Sequence, residues 1–597
     1  MGHDHHDHEH GAHTHTHSAE VAVDLPAWAD PSVPETELDP GGISRRKLLR
    51  NAGLLGGGAA AMSVMGGTGV AAASTRAARD RAPQDDPHSY AYLAGDHHIH
   101  TQFSSDAMYR PHDQAFQAAK YGLDWIVITD HGSVGHAKFG VDKVNPDIRA
   151  ARAALKSLLV FQGLEWNIPA AEHATVIVTP GEHEVSVLKA FENGYDGVVT
   201  GTTGGAEGDP TTAANELLAI QGLQFLKSKI GAADGVDDVV MLANHPARKG
   251  LDTPHEFRAW RDQGHGVAIG MEGAPGHQNA AVPDGFHISG ARGEYGNTAA
   301  SVGASAWSGY TTANWEYYRT WGGFDAFTAM VGGLWDSLLS EGRPWWITAN
   351  SDSHKVLGDP YVNGPIAPLA DGTPAANFDA SGAYLAPVEV ANISAADGLG
   401  YADFFPGAFS RNHVGAAQFG YRSVLAGLRA GNAWVDHGQL VDDIQVRVKA
   451  GEWDMRGVTL GGTLRVRKGS DVVITVDVTP AQHINNNGDL PHLARVDVIR
   501  GLITGIVGDQ DTLAAPNTKV VKMFDVSGRK KRFRLSLTFK RVSDSFYLRL
   551  RGTDGNRLGA GFYPTQDPDG PKLDVIGDAD PWKDLWFYTN PVFVHVV

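Results

Sequence analysis

The sequence predicts an α/β barrel followed by an all-β region that reads as a β-sandwich. Two observations carry this reading. From about residue 90, short and almost wholly apolar runs alternate with helix-like stretches; after residue 440 the runs alternate apolar and polar residues with period two. A chain of 597 residues also exceeds what one ordinary core takes up. The expected units are 91–440 and 441–597, preceded by a leader over 1–73 and a linker over 74–90.

Residues 1–73 read as an address and not as fold. Ser44-Arg45-Arg46-Lys47-Leu48-Leu49-Arg50 resembles a twin-arginine export signal. A Gly- and Ala-rich apolar segment follows over 52–73 and ends in Ala71-Ala72-Ala73, which suits signal peptidase. Its many glycines and few large apolar residues argue against a membrane span. The signal implies a secreted or extracytoplasmic protein, with the twin-arginine machinery as a partner and no membrane anchor. Eight histidines lie between His3 and His17. Such a tract binds metal, but cleavage near Ala73 removes it from the mature chain. Residues 74–90 form a polar linker rich in Arg, Asp and Pro.

In the first unit the apolar runs are 124–129 (DWIVIT), 158–162 (LLVFQ), 175–178 (TVIV), 239–243 (VVMLA) and 345–349 (WWITA). Their shortness and near-continuous apolarity suit parallel strands covered on both faces. Segments 112–121 and 215–230 read as helices. A Gly-rich loop is expected over 194–212. A longer insertion, 246–343, is expected to be a helical piece plus loops over the barrel mouth, and carries Trp307, Trp315, Tyr317, Tyr318, Trp321 and Trp335. In the second unit, 444–448 (IQVRV), 464–466, 472–478 (VVITVDV), 495–499, 533–539 and 547–551 (YLRLR) alternate as half-buried strands do. The run 586–597 is expected to pack back on the first unit.

Composition narrows the chemistry. The formal net charge of −18 disfavours nucleic acid as a stable partner. The short basic run 529–534 (RKKRFR) sits in a strand-like stretch and reads as a solvated face. There is no cysteine, so disulfides, thiolate metal sites and a cysteine nucleophile are all excluded.

The chemistry-bearing residues sit where the apolar runs end. GDHHIH over 95–100 places His98 and His100 two apart, on one face of an extended segment. Asp106 follows in a Ser-Ser-Asp turn. The next runs lead into Thr129-Asp130-His131, Gly163-Leu164-Glu165 and then His173, Asn244-His245-Pro246, and Ser351-Asp352-Ser353-His354. In an α/β barrel the C-terminal strand ends converge on one mouth. Imidazoles and carboxylates without thiolates suit Zn, Mn or Fe as divalent ions.

This ordered set resembles the PHP (polymerase and histidinol phosphatase) superfamily of metallohydrolases over roughly 91–440. The resemblance implies a distorted (β/α)7 barrel and two or three divalent ions. One would take His98, His100, Glu165 and Asp352. A second would share Glu165 and add His173 and His245, with Glu172 as a competitor to His173. A third would take Asp106, His131 and His354. His97 stands where relatives carry an apolar residue and receives no ligand role; Asp96 is expected to orient a histidine.

The implied activity is phosphoric ester hydrolysis, of a mono- or diester, by a hydroxide bridging the metals. Glu165, Asp352 and Arg248 are the catalytic candidates, and Arg248, Lys249 and Lys355 are candidates to hold phosphoryl oxygens. A second reading is hydrolysis of a carbamate, ester or amide, because 425–438 (LAGLRAGNAWVDHG) resembles a region of carbamate-cleaving relatives and the aromatic insertion suits an apolar leaving group. A third is a non-catalytic protein that binds metal or a cell surface through its sandwich.

Overall fold

The computed structural model describes residues 90–597 except 206–207, 283–290, 294–305, 311–315, 357–360, 363–387, 390–402, 455 and 578–579. The export signal, the histidine tract and Trp315 lie outside the described residues. Among the described residues, no helix is long and apolar enough to cross a membrane.

The first unit is α/β. Its strands are β1 (Ala91–Asp96), β2 (Trp125–Ile128), β3 (Leu159–Asn167), β4 (His173–Val178), β5 (Val239–Ala243), β6 (Ala268–Ala274) and β7 (Trp346–Ala349). They lie side by side in that order. Pairs β1–β2, β2–β3, β5–β6 and β6–β7 are parallel. Helices α1 (Pro111–Lys120), α2 (Val141–Ala154), α3 (Glu184–Tyr195), α4 (Thr212–Lys229) and α5 (Pro254–Gln263) fall between them. Between β7 and β1 the contact is made by the isolated parallel bridge Ile99–Ser353 and by Asn412, whose amide spans the two strands.

Three features differ from the expectation. Strand β4 is antiparallel to both β3 and β5, because only residues 168–172 connect it to β3 and a parallel crossover needs a dozen or more. Strand β6 falls inside the segment expected to be helix and loops, and the expected loop over 194–212 carries a single helical turn, Gly197–Thr200.

Helix α6 (Leu334–Ser340) precedes β7, and β8 (Ser410–Ala416), α7 (Tyr421–Ala430) and β9 (Ala433–His437) follow it. The C-terminal region holds β10 (Val441–Ala450), β11 (Thr463–Val466), β12 (Val472–Pro480), β13 (Arg495–Leu502), β14 (Lys519–Asp525), β15 (Phe533–Phe539), β16 (Phe546–Thr553), β17 (Trp586–Thr589) and β18 (Val592–Val596). Strands β10, β12 and β15 form an antiparallel three-stranded sheet. Strands β13, β14, β16 and β17 pair antiparallel as well, and Val446, Val476, Leu548 and Phe587 from the two sets share one core. Strand β17 pairs with β9, so one sheet of 15 strands runs through both regions. The buried pair Asp336–Arg549 and the side chain of Asn590, which bonds both backbone groups of Ile347, tie the two further.

Candidate metal centre

The ends of β1, β2, β3, β5 and β7 bring their following residues to one edge of the sheet. The reversal of β4 has a direct consequence: its first residue, His173, lies at that same edge, opposite Asn167 of β3. Backbone pairing then fixes neighbours. His131 bridges Glu165 in parallel register, and His100 N–H donates to Ser353 O at 3.1 Å.

All nine nominated side chains come together. His98 Nε2 and His100 Nε2 each lie 3.1 Å from Asp352 Oδ1, and 3.1 Å and 3.3 Å from Glu165 Oε1 and Oε2. Glu165 Oε1 also faces His173 Nδ1 at 3.1 Å and His245 Nε2 at 3.2 Å, while its Oε2 faces His131 Nδ1 at 2.6 Å. The other nitrogen of His131 lies 3.2 Å from Asp106 Oδ2 and 3.3 Å from His354 Nε2. The donor atoms of His98, His100 and Asp352, of His131, Glu165 and His173, and of His100, His131 and His354 are each mutually within 4.8 Å, which is the spacing of groups that could share an ion. Most are buried, with His98 and His100 wholly inaccessible; Asp106 is exposed at the rim. All but His98 and His100 line a cavity of about 200 Å³ that Arg248 and Lys355 also face.

Burial alone would push the carboxyl of Glu165 up. His98, His173 and His131 outweigh it and hold the group well below the usual carboxylate range. Asp352 behaves likewise, with His98, His277 and His354 opposing burial. Both are therefore anions, as metal donors must be. The backbone is strained at the same place: His245, His277 and Asp352 have φ of 30°, 53° and 47°, a region costing side-chain-bearing residues about 1–3 kcal/mol. The strain at His245 is held by its N–H, which donates to Glu272 Oε2 at 2.5 Å.

Three residues at the site escaped the sequence reading. Glu272, in β6, accepts from His98 Nδ1–H at 2.7 Å. This is the orienting role expected of Asp96, which instead accepts the backbone N–H groups of His98 and Ser351. His277 places Nε2 3.2 Å from Asp352 Oδ2, and its Nδ1 makes a short bond to Asp403. Asp403 also accepts the N–H groups of His354 and Lys355 at 2.5 Å and 2.9 Å. His97 Nδ1 turns to Thr175 Oγ1 at 3.3 Å and joins none of the ligand groups.

Glu172 reaches His173 and His245 closely enough to form a ligand group with them. It is also engaged by cations, with Arg248 Nη1 at 3.4 Å and Lys249 Nζ at 3.2 Å. In the described part of the aromatic insertion, Tyr310, Tyr317, Tyr318, Trp321 and Trp335 are buried in the core, and Trp307 lines a separate cavity beside α4 and α5.

No curated protein matches the chain. Among solved structures it is similar to a two-domain protein of Bacteroides vulgatus containing a predicted PHP-like metal-dependent phosphoesterase, at 14% identity and a TM-score of 0.31, over 82% of this chain and 96% of that one. It is similar also to a candidate metal-dependent phosphoesterase of Bifidobacterium adolescentis, at 17% identity and a TM-score of 0.17, over 30% of this chain and 76% of that one. Residues 96–226 match the PHP domain family, so the stretch that supplies His98, His100, Asp106, His131, Glu165 and His173 is similar in sequence to the PHP superfamily.

Proposed function

We propose that the chain is an exported metal-dependent phosphoesterase that cleaves small phosphate mono- or diesters. The observation that carries this reading is the clustering of nine imidazole and carboxylate side chains, seven of which line one cavity that also faces Arg248 and Lys355. In this reading 91–440 is the hydrolase unit, a distorted (β/α)7 barrel, and 441–597 is a β-sandwich domain. The arginine pair Arg45-Arg46 directs export, with no membrane anchor and no nucleic acid as a stable partner.

The donor set fits two or three ions of Zn, Mn or Fe, since it offers imidazole and carboxylate without thiolate. When bound, such ions supply Lewis acidity to a phosphoryl oxygen and acidify a water to the point of attack at neutral pH. The chain's own residues do the rest. Glu165 turns its two oxygens toward different histidines and so holds the ligand sets in fixed relation. Asp352 faces His98 and His100 through one oxygen and His277 through the other. The guanidinium of Arg248 and the ammonium of Lys355 bind phosphoryl oxygens that the ions leave free. A carbamate or other carbonyl substrate with an apolar leaving group needs an apolar wall, and none of the described aromatics of the insertion lines this cavity.

Initial rates on a nitrophenyl phosphate, the bis-nitrophenyl diester and a naphthyl carbamate test the reading, with Glu165→Gln run alongside. Phosphoester turnover that the variant abolishes supports it. Arg248→Ala should lower kcat/KM for the phosphoester roughly 10- to 150-fold, the equivalent of a charge-assisted hydrogen bond of about 1.5–3 kcal/mol. Carbamate turnover without phosphate release refutes the reading.

A further inference from the structure

We propose that His277 is an additional metal donor, acting with Asp352 and His354, which none of the sequence motifs supplies. The inference rests on the metal-centre reading and extends it.

Three observations point to this role. Asp403 is wholly buried and pinned by the backbone N–H groups of His354 and Lys355. It takes the Nδ1–H of His277 in a short hydrogen bond, the arrangement that fixes the tautomer of a metal-binding imidazole and leaves Nε2 as the lone-pair donor. That Nε2 is aimed at Asp352 Oδ2 from 3.2 Å. At this distance the two atoms hold either a proton on Nε2, as an ion pair, or a metal that displaces it. The donor atoms of His277, Asp352 and His354 lie within 4.8 Å of one another, and His277 faces the same cavity as the other donors. Asp352 Oδ1 is meanwhile engaged by His98 and His100 at 3.1 Å. Asp352 thus offers one oxygen to each of two ion positions, and His277 strengthens the one that His354 attends.

The full chain is loaded with Mn²⁺ or Co²⁺, and its metal ratio and affinities are measured against a chromogenic chelator. His277→Ala, His277→Gln and His98→Ala run in parallel, each compared with the parent by circular dichroism in the metal-free state. The expected result is at least a tenfold loss of affinity for the most weakly held ion in both His277 variants, with the tighter ion retained. On the unmodified chain, bound metal should protect His277 from carbethoxylation by diethyl pyrocarbonate, mapped by mass spectrometry. If His98→Ala loses metal while His277 variants keep the parent ratio and affinities, or if His277 reacts equally with and without metal, the inference is overturned and the metal centre stands. If the parent chain binds no metal, both are overturned.

Discussion

Glu272→Gln isolates the contribution of one buried carboxylate that touches two ligand residues and faces no ion itself. Glu272 is wholly inaccessible. Its Oε1 accepts from His98 Nδ1–H at 2.7 Å and its Oε2 accepts from His245 N–H at 2.5 Å. Glutamine keeps the shape but replaces one acceptor with an NH₂ donor. In one flip the NH₂ meets the ring N–H of His98; in the other it meets the backbone N–H of His245. Either way one buried donor loses its acceptor, which costs about 1–3 kcal/mol. If His98 adopts the other tautomer to escape, its Nε2 becomes protonated and is lost as a donor. An outer partner of a ligating histidine contributes about 10- to 100-fold in metal affinity, or about 1.4–2.7 kcal/mol, so two independent routes agree. The assay is a competition titration of Zn²⁺ or Mn²⁺ against a chromogenic chelator, with thermal unfolding of the metal-free protein as control. The expected result is a loss of affinity within that range. An unchanged affinity in a folded variant would refute the claim that Glu272 sets the tautomer of His98.

Three further perturbations probe the surroundings. A Cβ at Gly276 would sit 2.2 Å from Asp352 Cβ and 2.4 Å from Ser351 O, so Gly276→Ala must displace the Asp352 segment by about 1 Å; a misplacement of that size costs about 100-fold in rate, and kcat on the phosphoester should fall by that order with unfolding little changed. Arg549→Met leaves Asp336 buried without the guanidinium that now grips it at 2.7 and 2.9 Å; breaking a buried pair costs about 3–5 kcal/mol, to be read by urea unfolding, and adding Asp336→Leu should restore most of it. His255 is raised to about 9, first by its hydrogen bond to Glu216 and then, against burial, by Asp511. A raised folded value means that its stabilisation is complete below about pH 6.5 and is lost as pH rises through 9. The unfolding midpoint of the unmodified protein should therefore drop more steeply between pH 6.5 and 9 than that of His255→Gln, and parallel profiles would refute the role.

The parts of the site that were legible share one property: an apolar run broken abruptly by a polar residue. His131, His245 and Asp352 announce themselves in this way, because a buried strand has no other reason to end on such side chains. Glu272 did not, and the reason lies in its strand. In AIGMEGA, Gly270 and Gly273 dilute the apolar signal. Both are needed there, since a Cβ at Gly270 would lie 2.2 Å from Trp346 O and one at Gly273 would lie 2.8 Å from Ile347 Cβ. The close approach of β6 to β7 that brings Glu272 to His98 thus also hides the strand from a hydropathy reading. His277 and Asp403 are illegible for a different reason. They are 126 residues apart, in segments without periodicity, and only the folded chain pairs them. The reversal of β4 could have been read from the short connection 168–172, because connection length bounds strand direction more tightly than apolarity does.

What the surrounding residues encode at this site is a choice of tautomer. Ser104 Oγ gives its single proton to Asp130 Oδ1 at 2.8 Å, so toward His100 Nδ1, 3.0 Å away, it must accept. Glu272 can only accept from His98 Nδ1 while ionised. Both rings therefore carry a proton on Nδ1 and turn Nε2 inward as the atom left to bind either a second proton or a metal. Those two Nε2 atoms lie 2.9 Å apart, with Asp352 Oδ1 3.1 Å from each. Without a proton or a metal on Nε2, two lone pairs and an anionic oxygen would face one another in a buried space and repel; a proton on Nε2 relieves this as an ion pair with Asp352 or Glu165. A divalent cation held by these atoms would take the place of those protons. Hydrogen bonds one layer out, from Ser104, Asp130 and Glu272, make the inner atoms converge as donors to an ion.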